Sequence, residues 1–130
     1  NPDRKREYAF ISPSVSPYKE VRDSVFASLL VAENRWVEPW ASAVLANLNH
    51  PSRQKEAVAY IRPALEAMQE VQRTGDIFFP TAWVRALLSG HTSPEARAEV
   101  DAFFASHPDY PPMLANKIRQ QANHLYIIEH

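Results

Sequence analysis

Apolar positions recur every three or four residues over most of the chain and seldom alternate, which is the spacing of helices that bury one face. Val21, Val25 and Leu29 predict a helix over 17–31, with Ser16 as its cap and Pro17 in its first turn. Val37, Trp40, Val44 and Leu48 predict a second over 37–48, with Pro39 suited to its start. A long run over 52–72 aligns Val58, Ile61, Leu65, Met68 and Gln72, with Ala57, Ala64 and Val71 alongside. Pro63 lies inside that run, where it removes an intrahelical bond and clashes with the Ala59 carbonyl, so a kink is predicted near 59–63. Gly75 is read as the left-handed residue that ends this helix. Three more helices are predicted: 80–89 through Trp83, Leu87 and Leu88, closed by Gly90; 94–106 with Ala96, Val100, Phe103 and Phe104; and 112–128 with Leu114, Ile118, Ala122, Leu125 and Ile128. Thr92-Ser93-Pro94-Glu95 reads as a capping box for 94–106, its Glu reaching back. Residues 1–16 lack the pattern and read as a leading segment that docks through Tyr8, Phe10 and Ile11.

Composition supports this reading. The chain holds two Gly and eleven Pro in 130 residues, too few Gly for a meander of tight hairpins, and the prolines mostly precede amphipathic runs. A weak internal echo links Trp40-x-x-Ala43-Val44-Leu45, ending at His50, with Trp83-x-x-Ala86-Leu87-Leu88, ending at His91. The 43-residue offset between the tryptophans falls within the roughly 40–47-residue period of armadillo and HEAT repeats. The fold predicted is all-α: a single domain over 1–130 in which antiparallel helix pairs stack as a short HEAT/armadillo-like right-handed superhelix.

Charge and chemistry narrow the function classes. Fourteen basic and fifteen acidic residues give a net charge of −1, which argues against a nucleic-acid partner recruited by a bulk field. No apolar run approaches the roughly 18 residues a membrane span requires. Without Cys there is no disulfide framework, thiolate metal site or Cys nucleophile, and no compartment is indicated. His50, His91, His107, His124 and His130 contain no pair at helical i,i+3 or i,i+4 spacing, so they predict no metal site and are read as structural or solvent-exposed. Glu66 and Glu70 read as a solvated helix face, and no serine occupies a nucleophile elbow. No catalytic residue and no metal ligand is therefore assigned. Most aromatics fit a core. The exception is the segment 72–80, where charge and aromatics crowd one interhelical loop; Arg73, Asp76, Phe78 and Phe79 are its candidate surface residues.

Several strings carry a resemblance. Gln72-Arg73-Thr74-Gly75-Asp76-Ile77-Phe78-Phe79-Pro80-x-x-Trp83 is the longest, joined by Asn34-Arg35, Glu38-Pro39-Trp40, Leu48-Asn49-His50-Pro51, Tyr60-Ile61-Arg62-Pro63, Gly90-His91 and His107-Pro108-x-Tyr110-Pro111. Together, over about 17–126, they resemble the C-terminal region of bacterial zinc metallo-aminopeptidases of the aminopeptidase N family. The resemblance implies a parent enzyme that removes N-terminal residues from peptides, with this chain as a helical domain packed on the catalytic domain and helping to enclose the substrate cavity. The parent's zinc would sit in that other domain, on a His-Glu-x-x-His motif and a distant Glu, none of which occurs here. No cofactor is therefore expected in this fragment. The lack of an initial Met fits a fragment.

In this setting Arg73, Asp76, Phe78 and Phe79 are expected to face the catalytic domain or the peptide substrate. Surface left bare by the missing domain would let the isolated fragment self-associate. The alternative from another class is a free-standing helical adaptor that holds a peptide or partner helix, with a reading frame that starts near Asn1.

Overall fold

The computed structural model describes residues 1–127, and all regular structure among them is helical. Eight α-helices follow in order: α1 Pro2–Ile11, α2 Lys19–Leu29, α3 Glu38–Leu48, α4 Gln54–Glu66, α5 Met68–Thr74, α6 Phe79–Leu88, α7 Pro94–Ser106 and α8 Pro112–Ala122. Short 3-10 turns lie at Ser12–Val15, Ala32–Arg35, Pro51–Arg53 and Asn123–Tyr126.

The helices pack in two rows. In one, α1 lies on α3, α3 on α6 and α6 on α8; in the other, α4 lies on α7, while α2 reaches α4 through side chains. Polar links repeat this neighbour relation: Tyr60 Oη donates to Asp23, Arg62 pairs with Glu99 at 2.7 Å, and Lys117 Nζ donates to Thr81 at 3.1 Å. Between the rows lies a continuous apolar core that includes Leu29, Leu45, Ile61, Leu65, Met68, Trp83, Leu87, Phe103, Leu114 and Ile118. Burial of that surface is the main force holding the rows together.

Several expectations need correction. Pro2–Ile11 form a helix that the periodicity could not reveal, because α1 buries none of its residues. Asn1 caps it by accepting the Asp3 N–H, and Pro2 fits its first turn. Phe10 and Ile11 dock against the core, with Phe10 5.9 Å from the Trp40 ring, whereas Tyr8 is exposed. The second helix starts at Lys19 rather than Pro17; Ser16 Oγ instead accepts the Tyr18 N–H. Its buried stripe is Arg22, Phe26 and Leu29, and Val21 faces outward.

The 52–72 run is divided at Ala67, four residues beyond Pro63, while the backbone across 59–63 stays helical. Ala67 closes α4 by donating to the carbonyls of Leu65 and Pro63, and Trp83 Nε1 donates to the Ala64 carbonyl at 3.0 Å. An indole from α6 thus occupies an acceptor at the broken end of α4. At the start of α7 the predicted box does not form: Ser93 is the cap and accepts the Ala96 N–H, while the Thr92 N–H donates to Gln54. The last α-helix ends at Ala122 and passes into a 3-10 turn, and the predicted extension to Ile128 lies outside the described residues.

Neither glycine plays the role read for it. No described residue has a positive φ. Gly75 is extended, at φ −116° and ψ −179°. A Cβ on Gly90 would lie 2.0 Å from the Asn49 carbonyl oxygen, and one on Gly75 would lie 2.8 Å from Glu38 Oε2. Both glycines permit close approach rather than a left-handed turn.

Candidate functional site

The predicted loop is built from hydrogen bonds that link α5, α3 and α6. Thr74 Oγ1 donates to the Glu70 carbonyl at 2.7 Å and finishes α5. The chain extends through Gly75, and the Asp76 N–H donates 2.9 Å to Glu38 Oε2 at the head of α3. Asp76 then acts as a local turn former: its Oδ1 accepts the Phe78 N–H at 2.9 Å and its carbonyl accepts the Phe79 N–H at 3.0 Å. This turn launches α6.

Beneath the loop lies Arg35, 3% exposed although it carries a full charge. Its Nη1 donates to the Leu29 carbonyl at 2.8 Å, and its Nη2 reaches Glu70 Oε1 at 2.7 Å and Thr74 Oγ1 at 3.3 Å. The guanidinium carbon lies 5.7 Å from the centre of the Trp83 ring. Only Nε remains without a hydrogen-bond partner. A buried guanidinium needs acceptors of this kind, because an unpaired charge in the interior is expensive.

Above Arg35 opens a cleft of about 420 Å³, lined in part by Glu33, Arg35, Trp36, Glu38, Gly75 and Phe79. Trp36 stands at its edge, 73% exposed, and Ile77 and Phe78 on the adjoining loop are each 79% exposed. Glu33 and Glu38 form no ion pair among the described residues. The cleft therefore combines an acidic rim, an aromatic wall and a neutralised cationic floor.

The four predicted surface residues divide. Arg73, Asp76 and Phe78 are exposed, Asp76 with its backbone engaged to Glu38 and Phe78 projecting into solvent. Phe79 is not a surface residue: it is 4% exposed and packs edge-on against Trp83, with ring centres 6.0 Å apart. Arg35, Trp36 and Glu38 complete the cleft but were not among the predicted residues. Their signal was present in the run Arg35-Trp36-Val37-Glu38, which places charge and indole just ahead of the helix-starting Pro39. Glu70 also departs from expectation: rather than lying on a wholly solvated face with Glu66, it pairs with Arg35.

The histidines are scattered. His50 is exposed and bonds Ser52; His107 stacks on Phe103 at 4.4 Å and donates from Nδ1 to the Phe103 carbonyl. His124 Nε2 lies 2.8 Å from the His91 carbonyl and 3.1 Å from that of Leu88. His91 is fully buried, its Nε2 2.8 Å from Asn49 Oδ1, and burial, with His124 nearby, pushes its pKa down to about 4. His130 lies outside the described residues. Among the described residues, no three His, Cys, Asp or Glu side chains come together as a metal site, and no helix is long and apolar enough to cross a membrane. Compared with known protein families, curated proteins and solved structures, the chain matches none.

Proposed function

We propose that the chain is the non-catalytic C-terminal helical domain of a zinc-dependent aminopeptidase, packing on the catalytic domain and helping to enclose the substrate cavity. The observation that carries this reading is the string 72–83, which resembles that family and here forms a loop from which Ile77 and Phe78 project into solvent. Large apolar side chains exposed on one loop suit a surface covered by a neighbouring domain. The two-row packing supports a stacked-pair architecture of the HEAT/armadillo kind, in which consecutive helix pairs bury each other's apolar faces. In this reading the zinc and its general base belong to the other domain, and this chain supplies wall and support.

The test is the coding sequence upstream of Asn1, followed by assay of the encoded polypeptide. A His-Glu-x-x-His motif and chelator-sensitive release of N-terminal residues are expected, with no turnover of an aminoacyl arylamide by the isolated chain. An upstream region without that motif would overturn the proposal and leave the adaptor reading in its place.

A further inference from the structure

We infer that the groove between α7 and α8 docks an amphipathic helix of a separate protein, one whose apolar stripe carries a glutamate. None of the lining residues belongs to the 72–83 string on which the peptidase reading rests. The rows show what this place asks for. α2, α4 and α7 follow one another in one row, and each step is joined by the same kind of ion pair. Arg22 of α2 reaches Glu56 of α4 at 3.3 Å, 34 residues on, and Arg62 of α4 reaches Glu99 of α7 at 2.7 Å, 37 residues on. An arginine on the earlier helix thus meets a glutamate on the later one. Among the described residues no helix follows α7 in this row.

α7 carries an arginine for the next step. Arg97, Asp101 and Phe104 recur at i, i+4 and i+7, so they share one flank, roughly opposite Glu99, which faces α4. Among the described residues the carboxylate nearest Arg97 in an ion pair is Asp101 of its own helix, at 3.8 Å, and its guanidinium lies 4.7 Å from the centre of the Tyr126 ring. Beside this flank opens a groove of about 420 Å³, lined in part by Val100, Asp101, Phe104, Arg119, Ala122 and Tyr126. Arg119 is exposed, stands 4.4 Å from the centre of the Phe104 ring and forms no ion pair among the described residues. Asp101 is already engaged, since it accepts the Tyr126 Oη proton at 2.6 Å. Two guanidiniums therefore border the groove against one committed carboxylate, and an incoming anionic side chain is attracted.

The apolar floor selects a helix over a simple anion. Phe104 and Tyr126 are half-buried, and with Val100 and Ala122 they form a surface that a small anion would leave uncovered. A helix with apolar residues at i, i+3 and i+4 fills such a groove, and a glutamate within that stripe meets the guanidiniums at its lip. A basic helix would be repelled there. The groove is also set in advance. The Tyr126–Asp101 bond ties the turn after α8 to α7, and His124 Nε2 donates to the carbonyls of Leu88 at 3.1 Å and His91 at 2.8 Å at the end of α6. Walls held in this way lose little freedom when a partner binds.

The experiment is an NMR titration of the 130-residue chain with a synthetic helix of the Pro94–Ser106 sequence, stapled through positions 101 and 105 on its exposed face. That sequence already packs in this row, with Ala96, Val100 and Phe103 as its buried stripe and Glu99 as its anion. The control peptide carries Glu99→Gln. The parent peptide is expected to shift the Ala122 and Tyr126 amides and the Arg119 Nε–H, and to bind about fivefold more tightly than the control, the upper size of a partly exposed ion pair. Arg119→Gln in the chain should lower that preference and the double variant with Arg97→Gln should remove it, with melting temperatures near that of the parent chain. Equal affinity for the two peptides, shifts confined to other surfaces, no binding, or an unaltered preference in the double variant would each overturn the assignment. The same shifts on concentrating the chain alone would give the groove to a second copy, and loss of peptide binding in the longer polypeptide would give it to another segment of that polypeptide; either result would overturn it too. The upstream-sequence test of the peptidase proposal and this titration fail independently.

Discussion

His91 shows how one side chain can tie folding to pH. Its imidazole is buried, faces Asn49 and is held neutral, with its pKa near 4 against an ordinary 6.5. Between those values the unfolded chain binds a proton that the folded chain refuses, so stability falls as pH drops from about 6.5 towards 4. The full loss is about 3 kcal/mol. Urea midpoints measured across this window should decline for the parent chain, and His91→Gln should decline less, by the equivalent of one proton. Gly90 has a separate demand. Alanine there would place its Cβ 2.0 Å from a backbone oxygen of Asn49, an atom that no rotamer change can move. Gly90→Ala is expected to cost about 2–3 kcal/mol by overpacking, read as a lower urea midpoint.

At the scale of elements, the break between α4 and α5 depends on a partner outside either helix. Trp83 donates its indole N–H to the Ala64 carbonyl and fills the core at the same point. Trp83→Phe would keep an aromatic ring but leave that acceptor unpartnered, an expected loss of about 1–3 kcal/mol in chemical denaturation. Where the sequence disclosed an element, it did so through buried stripes and punctuation. The helix over 94–106 is found as Pro94–Ser106 because Ser93-Pro94 marks its start and Ala96, Val100 and Phe103 share a buried face. α1 was hidden because a helix with no buried residue has no apolar period to detect. The interruption at Ala67 was misplaced because the sequence shows the proline but not where the helix gives way.

For the molecule as a whole, the helical class was legible and the cleft was only half so. The segment 72–80 stood out by composition, yet its partners come from residues 33–38, and no local pattern joins stretches so far apart. Arg22 and Arg35 make the same point: each is buried, at 5% and 3% exposed, because distant carboxylates Glu56 and Glu70 meet them. The exposure of Trp36, Ile77 and Phe78 has consequences for solution behaviour. The isolated chain is expected to self-associate reversibly, seen as a sedimentation coefficient that rises with concentration, and Phe78→Ser should lower that rise.

The contact of Gly90 with Asn49 joins the C-terminal ends of α6 and α3, reinforced by the His91 bond to Asn49. At the opposite ends a single side-chain bond, Glu38 to the Asp76 N–H, spans the gap. The two helices therefore share a pivot at one end and a latch at the other. With α3 eleven residues long, the lever arm is about 16 Å, so a swing of about 5° moves the latched end by about 1.4 Å. The side chains buried between α3 and α6 resist such a swing, so loss of the Glu38 bond would loosen the rim of the pair and leave its packing in place.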